Sequence, residues 1–340
     1  TGKNTSTGKV TEGVNDGTID VKGKEGTGML ATANAKIVNN KSITGSVESV
    51  IGMYGVDSGT EVINKKDIEL SGKKSTGIFA KDDAKALNKG KILLKSTSDN
   101  SVGMFGVSSG AGKKITLTND TDGTIDVESE KSTGIFTKND GNLTDSIVKN
   151  KGTINLGGKN TVGMLLDNGA RGKNEGIIRT MPGANPNDVE QTVGVFVGKD
   201  SVLENTGTIH IVSKKGAAYF QSRGGIVINR GTIILGQSGR AENGEEESGA
   251  PGANTSKTVG DTRIHAPKGT QKAKTYINGK EVTPAKMTVT EGERPNMLRS
   301  PIGMYIDTLR RTNPIVGLKT ITNSADLIIG IEAATKTNSK

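Results

Sequence analysis

The sequence predicts an all-β chain wound as a right-handed parallel β-helix (β-solenoid) of about nine rungs, each ~24 residues long with three short strands, and carrying one long loop insertion. Three observations predict it. The hexapeptide KSTGIF is spelled twice, at Lys74–Phe79 and Lys131–Phe136. A glycine-centred motif and an asparagine-centred motif alternate along most of the chain. Within both, apolar residues recur with the strand period of two and not with the helical period.

The glycine motif reads TGML at Gly28, IGMY at Gly52, TGIF at Gly77, VGMF at Gly103, TGIF at Gly134, VGML at Gly163 and VGVF at Gly194. AAYF puts Ala218 in the same slot, and IGMY at Gly303 closes the series. Alternation gives Thr76 and Ile78 one shared face, matched by Ile51/Met53, Val102/Met104 and Val193/Val195. Two residues after the glycine stands a bulky column: Leu30, Tyr54, Phe79, Phe105, Phe136, Leu165, Phe196, Phe220 and Tyr305. Strict alternation places this column outside, whereas a tuck at the strand end places it in the core. We expect a stacked interior, because an exposed aromatic stripe invites aggregation.

The asparagine motif reads VNDGTIDV at Asn15, LNKGKILL at Asn88, TNDTDGTIDV at Asn119, KNKGTINL at Asn150, ENTGTIHI at Asn205 and INRGTIIL at Asn229, with weaker members at Asn39, Asn64 and Asn174. Asparagine suits a corner, since it tolerates left-handed backbone and its amide can bond the asparagine above, making a ladder. The glycine that commonly follows two residues later then takes a positive-φ or tight position. After it comes a strand in which Ile125 and Val127 alternate with Thr124 and Asp126. A third strand precedes the asparagine, with Ile37, Val62, Leu117, Val148, Leu203 or Val227 two residues before it.

The spacing turns these motifs into rungs. Asn15, Asn39, Asn64, Asn150 and Asn205 each lie 13 residues before the next slot, and Gly28, Gly77, Gly163, Gly194 and Ala218 lie 11 before the next asparagine. A single rung buries too few side chains to offset the entropy of ordering it, so the rungs must stack to fold.

Longer steps mark loops. Gly103 to Asn119 and Gly134 to Asn150 take 16 residues each, giving adjacent bulges on one edge. Asn174 to Gly194 takes 20 and Asn229 to Gly303 takes 74, both leaving from a second edge. The chain thus divides into rungs at 1–235, a polar insertion at 236–299, and a last rung with a C-terminal continuation at 300–340. The insertion opens with the flexible composition GQSGRAENGEEESGAPGANTSKTVG, and its Asn278-Gly279 pair predicts a hairpin. Insertions on solenoids are where recognition is placed, so Arg263, His265, Tyr276 and Arg294 are the candidate ligand-binding residues.

Composition narrows the function classes. The net charge of +9 comes from 45 Lys and Arg against 36 Asp and Glu, spread singly with no basic run of five and no stacking aromatics beside them. That pattern speaks against nucleic-acid binding. With no cysteine, thiolate catalysis, disulfides and cysteine-bound metals are excluded. A cysteine-free chain also suits passage through a secretion pore in the unfolded state. No apolar run approaches the ~18 residues of a helical membrane span.

The N-terminus, TGKNTSTGKV, reads as the cut edge of a larger protein and not as a signal peptide. No Walker loop, GxSxG, HExxH or GGxGxD pattern occurs, so no cofactor or metal is expected. The outward acids Asp20, Glu69 and Asp126 recur at rung spacing with no basic partner in register, as a solvated face does. His210 is expected at the surface, far in sequence from His265.

The last 41 residues carry more than repeat language. GMYIDT (Gly303–Thr308), TNPIVGL (Thr312–Leu318), ADLIIGIEAA (Ala325–Ala334) and TNSK (Thr337–Lys340) resemble the end of the passenger domain in the very large fusobacterial autotransporter adhesins, the RadD-like group. The STGIF, VGMF and NxGTI columns are similar to that group's rungs. The resemblance implies a surface-exposed passenger segment exported by type V secretion, its outer-membrane barrel absent from this fragment. It implies attachment to a host-cell protein or glycan, or to partner bacteria, by a non-enzymatic monomer. The residues that match are structural, so no family binding residue transfers, and the insertion lies outside the shared pattern. A passive spacer and a β-helical carbohydrate-active enzyme are the alternative readings.

Overall fold

The computed structural model describes residues 2–3, 10–110, 112–139, 146–184, 188–213, 216–221 and 225–236, together with short strands at 264–265, 275–277, 280–282 and 328–329. The described chain is all strand and turn. It is wound as a right-handed parallel β-helix with three sheets, here A, B and C.

Each rung runs from B through C to A. Sheet B holds nine strands, from Glu12–Asn15 to Ile226–Asn229. Sheet C runs from Thr18–Val21 to Thr232–Gly236, and sheet A from Gly2–Lys3 to Ala217–Gln221. All pairing between successive rungs is parallel, and equivalent letters of the motif pair with one another: Thr76↔Val102↔Thr133, Ile78↔Met104↔Ile135, Phe79↔Phe105↔Phe136.

The asparagine column is a continuous ladder. Asn15, Asn39, Asn64, Asn88, Asn119, Asn150, Asn174, Asn205 and Asn229 stand in register, and all but Asn15 are 0% exposed. Each Nδ2 donates to the next Oδ1 at 2.7–2.9 Å, through eight bonds. The sequence separation of bonded partners swings between 24 and 31 residues, so loops take up the excess while the ladder stays in step. The buried Tyr219 hydroxyl donates to Asn229 Oδ1 at 2.9 Å, and burial pushes this phenol's pKa far up.

The backbone reason expected for these asparagines is corrected: none of them has a positive φ. They sit at strand ends, and their side chains hold the turn by bonding carbonyls two residues on, as Asn64 does to Lys66 O at 2.7 Å. Nor do the following glycines have positive φ; beyond Gly17, at the first ladder asparagine, they answer a close approach. A Cβ on Gly207 would stand 2.1 Å from Gly176 O.

Positive φ appears at another corner, between sheets C and A. Glu25, Ser49, Lys74, Asn100, Lys131, Asn160 and Gln191 have φ of 52–63°, each three residues before a column glycine. The Lys of KSTGIF is therefore the left-handed residue of the corner. There the amide points forward to the next rung: Lys74 N–H donates to Asp99 O at 3.0 Å and Lys131 N–H to Lys159 O at 2.9 Å. The amide after it also points forward and meets a hydroxyl. Val50 N–H donates to Ser75 Oγ, Ser75 N–H to Ser101 Oγ and Ser101 N–H to Ser132 Oγ, at 2.9–3.1 Å. The Ser of KSTGIF thus satisfies a buried amide of the rung below.

The expected sharing of a face by Thr76 and Ile78 is also corrected. Ile78 and Met104 belong to the main core, while Val102 packs in a second cluster with Phe105. The column glycine causes the switch. Pairing between strands skips it, and a Cβ on Gly77 would stand 2.6 Å from Gly103 O and 2.7 Å from Ile92 Cγ2 of the core. Glycine and the residue after it thus face inward together, as in a bulge. The residue before them and the aromatic after them face the other way.

The aromatic column therefore stacks, but not in the main core. It forms a second cluster on the opposite side of sheet A with Val102, Val162 and Val193. Tyr54–Phe79, Phe79–Phe105 and Phe105–Phe136 stack at centroid distances of 4.8, 5.0 and 4.9 Å. Phe105 and Phe136 are each 1% exposed. Such contacts are worth about 0.5–1.5 kcal/mol per pair beyond burial.

Candidate binding surface

The extra residues predicted from spacing emerge at two corners. The paired bulges follow the sheet A strands Val102–Ser108 and Thr133–Asn139 and lead into sheet B at Thr116–Asn119 and Ile147–Asn150. The first is pinned across rungs: Asp82 accepts from Ser109 N–H at 2.8 Å and Ser109 Oγ at 2.6 Å, and Asp83 accepts from Lys114 N–H at 2.8 Å. The longer Asn174–Gly194 step lies between the sheet C strand Ile177–Thr180 and the sheet A strand Val193–Val197.

Of the four candidate ligand-binding residues, Arg263 and Arg294 lie outside the described residues, as do Gly303 and Tyr305 of the predicted closing rung. Tyr276 is on the strand Thr275–Ile277, which pairs in parallel with Thr232–Gly236 and so extends sheet C. Lys280–Val282 pairs antiparallel to it, with residues 278 and 279 between the two strands. His265 is on Ile264–His265, paired antiparallel with Ile328–Ile329. His265 and Tyr276 thus stand in different sheets.

The expectation of an acidic face without basic partners is overturned. Asp20, Glu69 and Asp126 do share a column of sheet C, but Arg179 and His210 continue that same column. Asn155 links them, donating to Asp126 Oδ1 at 2.7 Å and accepting from Arg179 Nε at 2.8 Å. Lys91 binds Asp126 at 2.9 Å, Lys95 binds Glu69, and Lys22 lies 3.7 Å from Asp20. The hydrogen bond to Asp126 raises the Lys91 pKa. Acids and bases thus share one row of sheet C with uncharged residues, each of the three acids within reach of a lysine. Among the described residues no group of three or more His, Cys, Asp or Glu is placed to hold a metal ion.

With three stacked sheets and their ladders established, one comparison places the chain. The model of the BigA third pectate lyase-like domain matches residues 43–177 and again 144–262. The chain belongs to that family. The two matches overlap across the rungs around Ile147–Asn150 and Arg171–Asn174, as expected when near-identical rungs let one pattern be laid down in two places. In this BigA-type domain both matches cover ladder asparagines, and the second runs past the last described solenoid strand into the insertion. No curated protein and no solved structure matches the chain.

Proposed function

We propose that the chain is a segment of a bacterial surface adhesin, a rigid non-enzymatic rod whose protruding loops attach to host cells or to other bacteria. The observation that carries this reading is the asparagine ladder, which keeps nine asparagines in register although the sequence between bonded partners varies from 24 to 31 residues. Such a body holds loops at fixed distances from its ends. The BigA-type family match and the resemblance of the C-terminal motifs to fusobacterial passenger domains support it, and with it an outer-membrane export route. Loss of adhesion to host cells and partner bacteria when residues 236–299 are deleted, with thermal unfolding of the rod unchanged, is the expected result. Unchanged adhesion would assign this segment to a passive spacer.

A further inference from the structure

The first four strands of sheet B carry an outer face with an ordered pattern of charge. Ile37, Val62 and Ala86 belong to the main core, so the residues on either side of each point outward. One outward row alternates in sign, Glu12↔Lys36↔Glu61↔Lys85, and the next is aliphatic, Val14↔Val38↔Ile63↔Leu87. Val14 is 49% exposed, Ile63 and Leu87 are half-buried, and Val38 between Val14 and Ile63 is buried. Of the four large apolar side chains exposed among the described residues, Val14 and Ile147 stand on the outer face of sheet B and Val10 just before its first strand. Past the ladder asparagines a third row reads Asp16, Asn40, Lys65 and Lys89. Within it Asn40 donates to Asp16 at 2.8 Å, and Lys89 lies 3.6 Å from Asp120.

The order of the charges selects what can cover this face. Lys36 binds Glu12 at 2.9 Å, so the first row is partly matched along its own chain, but exposed pairs of this kind hold little energy and stay open to a partner. A polymer of one charge sign meets as many like charges as opposite ones in an alternating row. An extended peptide presents same-face side chains about every 6.8 Å, whereas these rows step by about 4.8 Å, the spacing of another stack of rungs. Reversed end to end, the alternating row becomes its own complement. A second copy turned about a two-fold axis along the strands sets Glu12 against Lys85 of the other copy and Lys36 against Glu61. Val14 then covers Leu87, and Val38 covers Ile63. The third row agrees, with Asp16 against Lys89 and Asn40 against Lys65. A two-fold along the solenoid axis instead lays the first row on the third, placing Glu12 on Asp16 and Lys85 on Lys89. Shifting the antiparallel pair by one rung brings Lys36 onto Lys36 and Glu12 onto Glu61. Like charges thus oppose both alternatives.

We propose that this face pairs two copies of the chain as an antiparallel dimer, in place of the monomer that the fusobacterial resemblance implies. Four rungs give an overlap only about 20 Å long, so the association is weak, at the small end of specific interfaces. The test is sedimentation equilibrium of the full chain at about 50 mM salt, with protein up to about 1 mM. Dimerisation should weaken several-fold when salt is raised to about 500 mM. Because the two-fold repeats every contact, Lys85→Glu turns two attractive pairs repulsive and should weaken dimerisation about tenfold, as should Glu12→Lys. Mixing the two variants restores both pairs in the heterodimer alone, so association should return to within about twofold of wild type. Asp67→Lys, at an exposed position of sheet C, should change it less than about twofold. Recovery on mixing separates lost charge pairing from lost folding, since one chain cannot refold the other without meeting it. A monomer throughout this range, equal weakening by Asp67→Lys, or a mixture no better than its parts would overturn the proposal.

Discussion

The amide of Ser75 donates to the hydroxyl of Ser101 on the next rung at 2.9 Å, and both residues are fully buried. The left-handed turn at Lys74 has aimed this amide away from the ladder, and no other acceptor is bonded to it. Ser101→Ala strands the donor and should cost about 1–3 kcal/mol in urea unfolding. Ser101→Thr should cost less, since Thr161 and Thr192 occupy the equivalent position further along.

The asparagine ladder makes a positional prediction. Asn119 donates to Asn150 and accepts from Asn88, whereas Asn15 has a single ladder bond, to Asn39. Asn119→Ala should therefore destabilise by about twice as much as Asn15→Ala, of order 2–4 kcal/mol against about 1–2. Equal losses in denaturant midpoint would show that the ladder bonds carry little of the stability.

Gly134 tests the bulge. A Cβ there would stand 2.6 Å from Gly163 O and 2.8 Å from Ile154 Cγ2. Backbone cannot yield as a side-chain tip can, so Gly134→Ala should cost about 1–3 kcal/mol, and more than Phe136→Leu in the same strand. Leu165 already fills the aromatic slot on the next rung, which is why the second substitution should be mild.

Asp82 supplies a pH dependence. Burial pushes its carboxyl up, but the hydrogen bonds from the Ser109 hydroxyl and amide outweigh this, and the pKa lies below the ordinary 3.8. A depressed carboxylate stabilises the fold above its unfolded pKa and loses that contribution as pH falls through its folded value. Wild type should thus exceed Asp82→Asn in melting temperature at pH 7, and the gap should close only below about pH 4. A gap that persists unchanged at pH 2.5 would show that charge plays no part in pinning the bulge.

The sequence by itself determined the rung, its period, the ladder register and the corners at which loops leave. Identical letters at a fixed interval can satisfy their pairing only by standing above one another, and nine asparagines at strand ends do so. The four candidate ligand residues were chosen from composition, and no repeat constrained them. Tertiary structure decided what alternation could not. A glycine that lets two neighbours face the core together moves Phe105 and Val102 to the far side of sheet A. A left-handed residue can be Glu, Ser, Lys, Asn or Gln, so its column has no letter to read. Arg179 answers Asp126 through Asn155, and Lys149 stands beside Lys173, because residues 24 or more apart in sequence are one strand spacing apart in space. Charge at that range is invisible along the chain and is set only when the rungs close on one another.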